Sequence, residues 1–326
     1  MSESEHEALE TAARDAMRAP SVFNTQPWAW RIDGTALELR ADWSRQLNRV
    51  DPDGHFLLLS CGAALHHARV SLAAGGWVTE EERPEPGALG DLLARICIVG
   101  RREPRLAALE LRDAMGRRRT DRRPFGDEPV SPADLRTLEL AAAAEGVRVH
   151  RVRYDQMPML AVAVAAAGAT ELADPDYVNE LIRWTNRPAW SGDGVPAGTA
   201  VRRVPRRVPV REFALAPNEG APVEPGGDRG AAYLVLHGEG GEGRHWLRAG
   251  EALSAVLLSA VSRGLAVAPI TDVLEVAHPR DLIIGLLDQP GVPYVIVRCG
   301  HSTEPGAPAE APRRPSTEVI DDHPRW

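Results

Sequence analysis

No lysine occurs in the 326 residues, so all 38 basic side chains are arginine. That excludes a Schiff-base or general-base lysine. Cysteine is scarce too: Cys61, Cys97 and Cys299 are far apart, odd in number and outside any CxxC pair, so neither a disulfide framework nor a zinc cluster is indicated. They read as small buried hydrophobes in a reducing cytoplasm, with no metal expected. No apolar run is read as approaching the roughly 20 residues of a bilayer span, and the charged N-terminus MSESEHEALETAARDAM lacks a signal peptide's apolar core. A cytoplasmic protein away from the membrane is expected. The net charge of -8, with basic residues in local clusters, argues against nucleic acid and for a small-molecule partner.

Aromatic residues make up only 5% of the chain, yet the stretch APSVFNTQPWAWRI (residues 19–32) sets Phe23, Trp28 and Trp30 around a neutral Asn-Thr-Gln-Pro turn. Before it, apolar residues at helical spacing predict a helix to about Arg18, ended by Pro20. After it, Asp33-Gly34 between alternating runs predicts a hairpin. A long apolar helix follows from about His55 to the Gly75-Gly76 pair, then a buried strand at 94–100. The series begins again with a basic loop, a helix capped at Ser131 with Pro132 in its first turn, a strand at 147–152 and helices at about 155–169 and 174–185. Residues 186–230 are rich in Gly, Pro and Arg with little periodicity, the mark of a lid, an arm or disorder. Strand 231–238, helix 245–264, the short crossing LAVAPI, strand 293–300 and a Pro/Ala-rich tail complete the chain. The order helix, turn, strand, helix, strand thus occurs twice at half-chain scale, which predicts an α+β protein of two diverged copies.

Two constellations carry chemistry. Arg117 to Arg123 (RRRTDRR) precedes an ordered turn, and guanidinium forks with a hydroxyl suit a phosphate dianion as well as they suit a solvated charge run. A second pair, Arg313-Arg314, lies in a tail with no other reason to be basic. Ser21, Asn24, Thr25 and Gln26 offer neutral polar groups and Phe23, Trp28 and Trp30 apolar surface, suited to the edge and plane of a flavin or to a capped turn with tryptophans in the core. Other candidates are weaker. His66-His67 is adjacent on a helix and cannot chelate, so one core and one surface histidine are expected. GEGGEG (238–243) carries two repelling Glu and reads as a loop, and Ser60-Cys61-Gly62 lacks a nucleophile elbow's setting.

APSVFNTQPW, RRRTDRRPF and the run from WLRAGEAL through GLAVAPI and VRCGHS to PRRP together resemble the FMN-binding nitroreductase superfamily, most closely its single-chain Acg-like branch of two fused halves. The resemblance spans about residues 8–320 and is weakest over 186–230. It implies two fused pseudo-symmetric halves, each a central mixed β-sheet flanked by helices. They divide at 1–110, with the APSxxNTQPW turn, and 111–326, with the phosphate motif, a lid at 186–230 and the Arg tail. The family's usual unit is a homodimer with FMN across the interface. Here the first half has the turn but no RRS-like motif, and the second has the motif but reads AAAAEGVRV where a turn should fall. One FMN site per chain is therefore expected, beside a decayed counterpart.

The resemblance would put Arg118, Thr120, Arg122, Arg313 and Arg314 around the phosphate. Pro269, Ile270 and Thr271 would lie along the ring, with the Thr271 N–H near flavin N5. Pro20, Ser21, Asn24 and Gln26 would come from the other half. No protein side chain would be the catalyst, because flavin N5 carries the chemistry. Two functions follow for a chain that holds FMN, beside a third, a scaffold or partner-binding protein that has lost it. One is an FMN-dependent oxidoreductase, with NAD(P)H as a possible reductant and a nitro compound, quinone or activated double bond as acceptor. The other is an FMN-sequestering protein whose lid closes the site; Trp190 is the candidate side chain over the ring, unless Trp184 and Trp190 pack on the scaffold. A monomer with an internal pseudo-dimer, or a weak homodimer, is expected.

Overall fold

The computed structural model describes residues 3–84, 90–196, 199–201, 205–211, 213, 227–304 and 306–322. Helix α1 (Glu3–Ala16) buries Leu9, Ala12, Ala13 and Ala16 at helical spacing. Strands β1 (Trp28–Asp33) and β2 (Ala36–Ala41) form the expected hairpin, with Gly34 at φ 59°, a conformation its sequence pair favours. Helix α2 (His55–Ala74), strand β3 (Trp77–Glu82) and strand β4 (Leu92–Arg101) follow, and α3 (Leu106–Arg117) leads into the second half. That half contains α4 (Pro132–Ala144), β5 (Arg148–Arg151), α5 (Met157–Leu172), α6 (Pro175–Thr185), β6 (Ala232–Gly238), α7 (Gly243–Ser262) and β7 (Ala266–Ile270). Helices α8 (Asp272–Glu275) and α9 (Ala277–Ile284), strand β8 (Val292–Gly300), α10 (Ser316–Val319) and β9 (Ile320–Asp321) end the chain.

One sheet runs β3-β4-β2-β1-β9 and the other β5-β6-β8-β7. Read from its β7 edge, the second is β7-β8-β6-β5, so the corresponding strands keep the same order in both halves. The fold is α+β, two fused pseudo-symmetric copies. Named pairs within each copy are antiparallel, and parallel pairing comes from long-range returns: β9 beside β1, and a bridge from Thr120 to Val267.

The copies meet at the crossing of α2 and α7. Gly62 and Gly250 are each the eighth residue of their helix. A Cβ on Gly62 would lie 1.8 Å from the Leu247 carbonyl oxygen, and one on Gly250 1.9 Å from that of Leu59. Only glycine allows that approach, and the reciprocity marks the pseudo-two-fold axis.

Several expectations need correction. By length and composition α2 could cross a bilayer, unlike the apolar runs anticipated, but most of it is buried inside the protein. His66 and His67 are both core residues: His66 Nδ1 lies 2.8 Å from Ser254 Oγ, and His67 Nδ1 lies 2.9 Å from the Ala63 carbonyl. LAVAPI is not a mere crossing, since β7 pairs along β8. Ser131 caps α4 as expected, its hydroxyl accepting from the Asp134 N–H at 3.1 Å.

Candidate functional site

The chain leaving α1 must turn sharply into β1, and it does so under strain. Phe23, Asn24 and Gln26 have φ of 52°, 55° and 50°, a left-handed conformation that costs a non-glycine residue about 1–2 kcal/mol. Such strain persists only where the surroundings fix it. Ser21 Oγ accepts from the Gln26 N–H at 2.9 Å. Asn24 Nδ2 donates to the carbonyls of Gly194 and Pro312, both at 3.0 Å, while its Oδ1 accepts from Arg313 at 2.6 Å. Gln26 Nε2 donates to the Gly192 carbonyl at 2.8 Å, and its Oε1 accepts from the Arg314 N–H at 3.0 Å. The turn therefore staples together the segment after α6 and the C-terminal tail.

Beside it runs a cleft with two ends. Val22, Phe23, Leu59, Ser60, Leu253, Ala268–Asp272, Val210, Arg211 and Phe213 line one end, about 790 Å³ of space partly open to solvent. Arg18, Asn24, Met115, Arg118, Arg119, Gly194–Pro196, Thr199, Ala309–Ala311 and Arg313 line the other, about 610 Å³. Pro20, Ser21, Thr120 and Arg122 line both, which makes the space continuous. The first end is mostly apolar and the second mostly polar.

The polar end is electrostatically unfinished. Arg118 is 5% exposed; it donates to the Arg18 carbonyl at 3.3 Å, and its Nε has no partner. Arg122 donates to the Thr199 carbonyl at 3.3 Å and lies over the Phe213 ring, 4.5 Å from its centroid. Arg313 donates to Asn24 Oδ1 and to the Arg18 carbonyl at 3.0 Å. Among the described residues none of the three has a carboxylate within ion-pair distance; Glu310, at the rim, pairs with Arg119 at 3.1 Å. Burial, then Arg313 and Arg119, pushes Arg118 down to about 9. Burial, then Arg211 and Arg298, pushes Arg122 down to about 10, and burial with nearby Arg119 and Arg18 does the same to Arg313. Arginine does not give up its proton in proteins, so that cost becomes attraction for an anion.

The loop carrying these residues is held from below. Fully buried Arg298 pairs with Asp228 at 2.8 Å and donates to the carbonyls of Asp121 and Arg123 at 2.7 and 3.0 Å. Arg123 turns away to Asp121 and Glu304, so the RRRTDRR run divides into scaffold and cleft arginines.

Of the candidate site residues, Pro20, Ser21, Asn24, Arg118, Thr120, Arg122, Pro269, Ile270, Thr271 and Arg313 meet along this one cleft. Gln26 and Arg314 do not line it. Gln26 is fully buried in the staple, and the Arg314 guanidinium bonds the Gln26 carbonyl at 3.2 Å near Asp42 and Glu318. Trp28 and Trp30 are core residues of β1 and offer the cleft no surface. Trp190 is 85% exposed and does not lie over the cleft. From the segment 186–230, Gly194–Pro196 and Thr199 line the polar end and Val210, Arg211 and Phe213 the apolar end, Phe213 meeting Phe23 edge-on at 5.6 Å. The expected lid's residues 197–198, 202–204, 212 and 214–226 lie outside the described residues. Sequence reasoning missed Leu59, Ser60 and Arg211; VPVREF, breaking an otherwise Pro/Arg-rich stretch, was the available signal for the last.

No family model matches the chain. Curated relatives do. The chain is 38% identical to "Putative NAD(P)H nitroreductase Rv3131" of Mycobacterium tuberculosis (strain ATCC 25618 / H37Rv), over 97% of this chain and 91% of that one. It is 36% identical to "Putative NAD(P)H nitroreductase acg" of the same strain, over 96% and 95%. Among solved structures it is similar to the FMN and NADPH-dependent nitroreductase NfnB from "sphigopyxis sp. strain HMH", at 23% identity and a TM-score of 0.43, over 66% of this chain and 99% of that one.

Proposed function

The chain belongs to the nitroreductase superfamily, in the branch of the relative named acg, and from that premise we propose that its cleft binds one FMN and that the protein is an FMN-dependent oxidoreductase using NAD(P)H. The observation that carries this reading is the set of three arginines without carboxylates among the described residues, at one end of a cleft whose other end is apolar. Flavin mononucleotide has that polarity: a phosphate at one end and a large flat ring at the other. Arg118, Thr120, Arg122 and Arg313 would hold the phosphate, giving the arginines an anionic partner in place of the neutral acceptors they now bond. Pro20, Ser21, Asn24, Pro269, Ile270 and Thr271 would border the rest. When bound, FMN supplies reversible hydride exchange at N5, which no side chain here provides.

The protein's own contribution is orientation and water exclusion. Val22, Phe23, Leu59, Leu253 and Ile270 present apolar surface, while the Ser21 and Thr271 hydroxyls supply local polarity. A flat acceptor, whether nitro compound, quinone or activated double bond, fits such walls. FMN and riboflavin, which lacks the phosphate, test the reading together by calorimetry. The expected result is FMN binding at least about 100-fold tighter than riboflavin, with Arg118→Ala removing most of the difference. Equal affinities would overturn it. Turnover is tested by anaerobic mixing of the FMN-loaded protein with NADPH or NADH: rapid bleaching of the flavin is expected, and an unbleached flavin after minutes would favour the sequestering function instead.

A further inference from the structure

Between β5 and β6 the second half carries α5, α6 and the segment to 230, whereas in the first half a two-residue turn joins the corresponding strands. This insertion brings Glu171, Tyr177 and Arg211 against Asp272 and Glu275 of α8, directly behind Thr271 in the cleft wall. Among the described residues Arg211 is the cation in the group. Its guanidinium contacts Glu275 Oε1, lies 3.5 Å from Glu171 Oε1, and is 4.0 Å from Asp272 Oδ2. Glu171 and Asp272 are 5% and 3% exposed. Asp51, which accepts from the Leu57 N–H at 2.8 Å, also faces Glu275.

Three carboxyls around one guanidinium cannot all stay ionised out of water without a large desolvation cost. The unpaired atoms indicate where the cost is relieved. Among the described residues Glu171 Oε1 and Glu275 Oε2 are buried without hydrogen-bond partners, and both glutamates converge on the same nitrogen of Arg211. Burial pushes Glu171 up to about 9; Arg211 opposes it, and Glu275 and Asp272 add to it. The route outward is short: Thr271 Oγ1 donates to Glu275 Oε1 at 2.8 Å and lines the cleft.

We propose that Glu171 and Glu275 hold one shared proton and deliver it through the Thr271 hydroxyl to an acceptor reduced in the cleft. The inference rests on the oxidoreductase function above. An acceptor that takes a hydride, supplied ultimately by a reduced nicotinamide, gains two electrons and leaves its negative charge on oxygen. One proton completes the reduction. The Thr271 O–H bond breaks as the acceptor's O–H bond forms, and the one shared proton passes from the glutamate pair, through the Glu275 carboxyl, to the Thr271 oxygen, leaving both glutamates ionised. Solvent restores that proton between turnovers, and the nicotinamide is the species oxidised.

Full-length wild type, Glu171→Gln, Thr271→Val and Thr271→Ser test the inference, each first shown to melt cooperatively and to bind FMN. Infrared spectra of the protein without FMN are expected to show a protonated carboxylic acid at pH 7.5 that vanishes in Glu171→Gln. With a quinone acceptor, kcat is expected to fall about 100-fold in Glu171→Gln and Thr271→Val, to recover in Thr271→Ser, and to lose its decline above about pH 9 in Glu171→Gln. A missing band, a band that survives Glu171→Gln, or wild-type turnover that survives in Thr271→Val overturns the proposal and leaves the oxidoreductase function standing. Wild type that turns over no acceptor overturns that function, and the delivery step with it.

Discussion

The cleft and the corner that mirrors it across the α2–α7 crossing are built from equivalent pieces with opposite electrostatics. In the mirror corner the loop after α4 replaces the stapled turn, and the end of β3 with the residue after it replaces Pro269–Thr271. There Arg69 reaches Glu81 at 2.6 Å, Glu145 at 2.7 Å and Glu251 at 2.8 Å, while Arg83 reaches Glu81 and Glu251 at 2.8 and 2.9 Å. Arg69 and Arg83 thus both have carboxylate partners. In the cleft Arg118, Arg122 and Arg313 have none among the described residues. A pseudo-symmetric scaffold has thus closed one corner with ion pairs and left the other in need of an anion, which is why one ligand per chain is expected.

The comparison breaks most violently at its axis. Gly62→Ala and Gly250→Ala each drive a methyl into a backbone carbonyl, and a loss above about 4 kcal/mol, seen as insoluble or unfolded protein, is expected from both. If only one of them were harmful, the reciprocal packing would be wrong. Next in size, Glu251→Ala leaves Arg69 and Arg83 short of a buried partner. Denaturant unfolding should show a loss of about 3–5 kcal/mol, reduced by the arginines' partial exposure, with FMN affinity unchanged.

Arg118→Met is expected to do the reverse. Removing a buried cation without a partner should raise the stability of the FMN-free protein by about 1–3 kcal/mol while weakening FMN binding about 10- to 100-fold. A variant that lost both stability and affinity would show that Arg118 is scaffold.

The pH dependence is subtler. Glu171 sits at about 9 in the fold against an ordinary 4.5, so its contribution to stability is complete below about pH 4.5 and is lost as pH rises through about 9. Urea midpoints should therefore show wild type losing ground to Glu171→Gln across that window. Smallest of all, Trp190→Ala should stay within about 0.5 kcal/mol and leave bound flavin's spectrum unchanged, because Trp190 faces solvent.

Much of the fold was legible where a residue's local chemistry is decisive. Asp33-Gly34 announced the hairpin, and Ser131-Pro132 announced α4. The doubled order of elements was visible, but the insertion between β5 and β6 hid how closely the two sheets match. The candidate site was legible as composition and opaque as direction. Arg313 and Arg314 are neighbours in a tail without periodicity, and only the pairing of β9 with β1 and the bonds to Asn24 and Gln26 turn the first into the cleft and the second away. Likewise nothing in residues 186–230 said that Phe213 rather than Trp190 would face inward, since that choice is made by Phe23 and Arg122 from elsewhere in the chain. For the tryptophans of β1 the choice between cleft surface and core stayed open in the sequence, because alternation along a strand does not say which face meets α2; the structure puts both in the core.

Calorimetric titration of FMN-free wild-type protein with FMN, beside Arg118→Met, tests the contrast between the two corners most directly. One FMN per chain is expected, with saturation complete before a second equivalent and affinity collapsing in the variant. Two FMN per chain, or binding indifferent to Arg118, would contradict it.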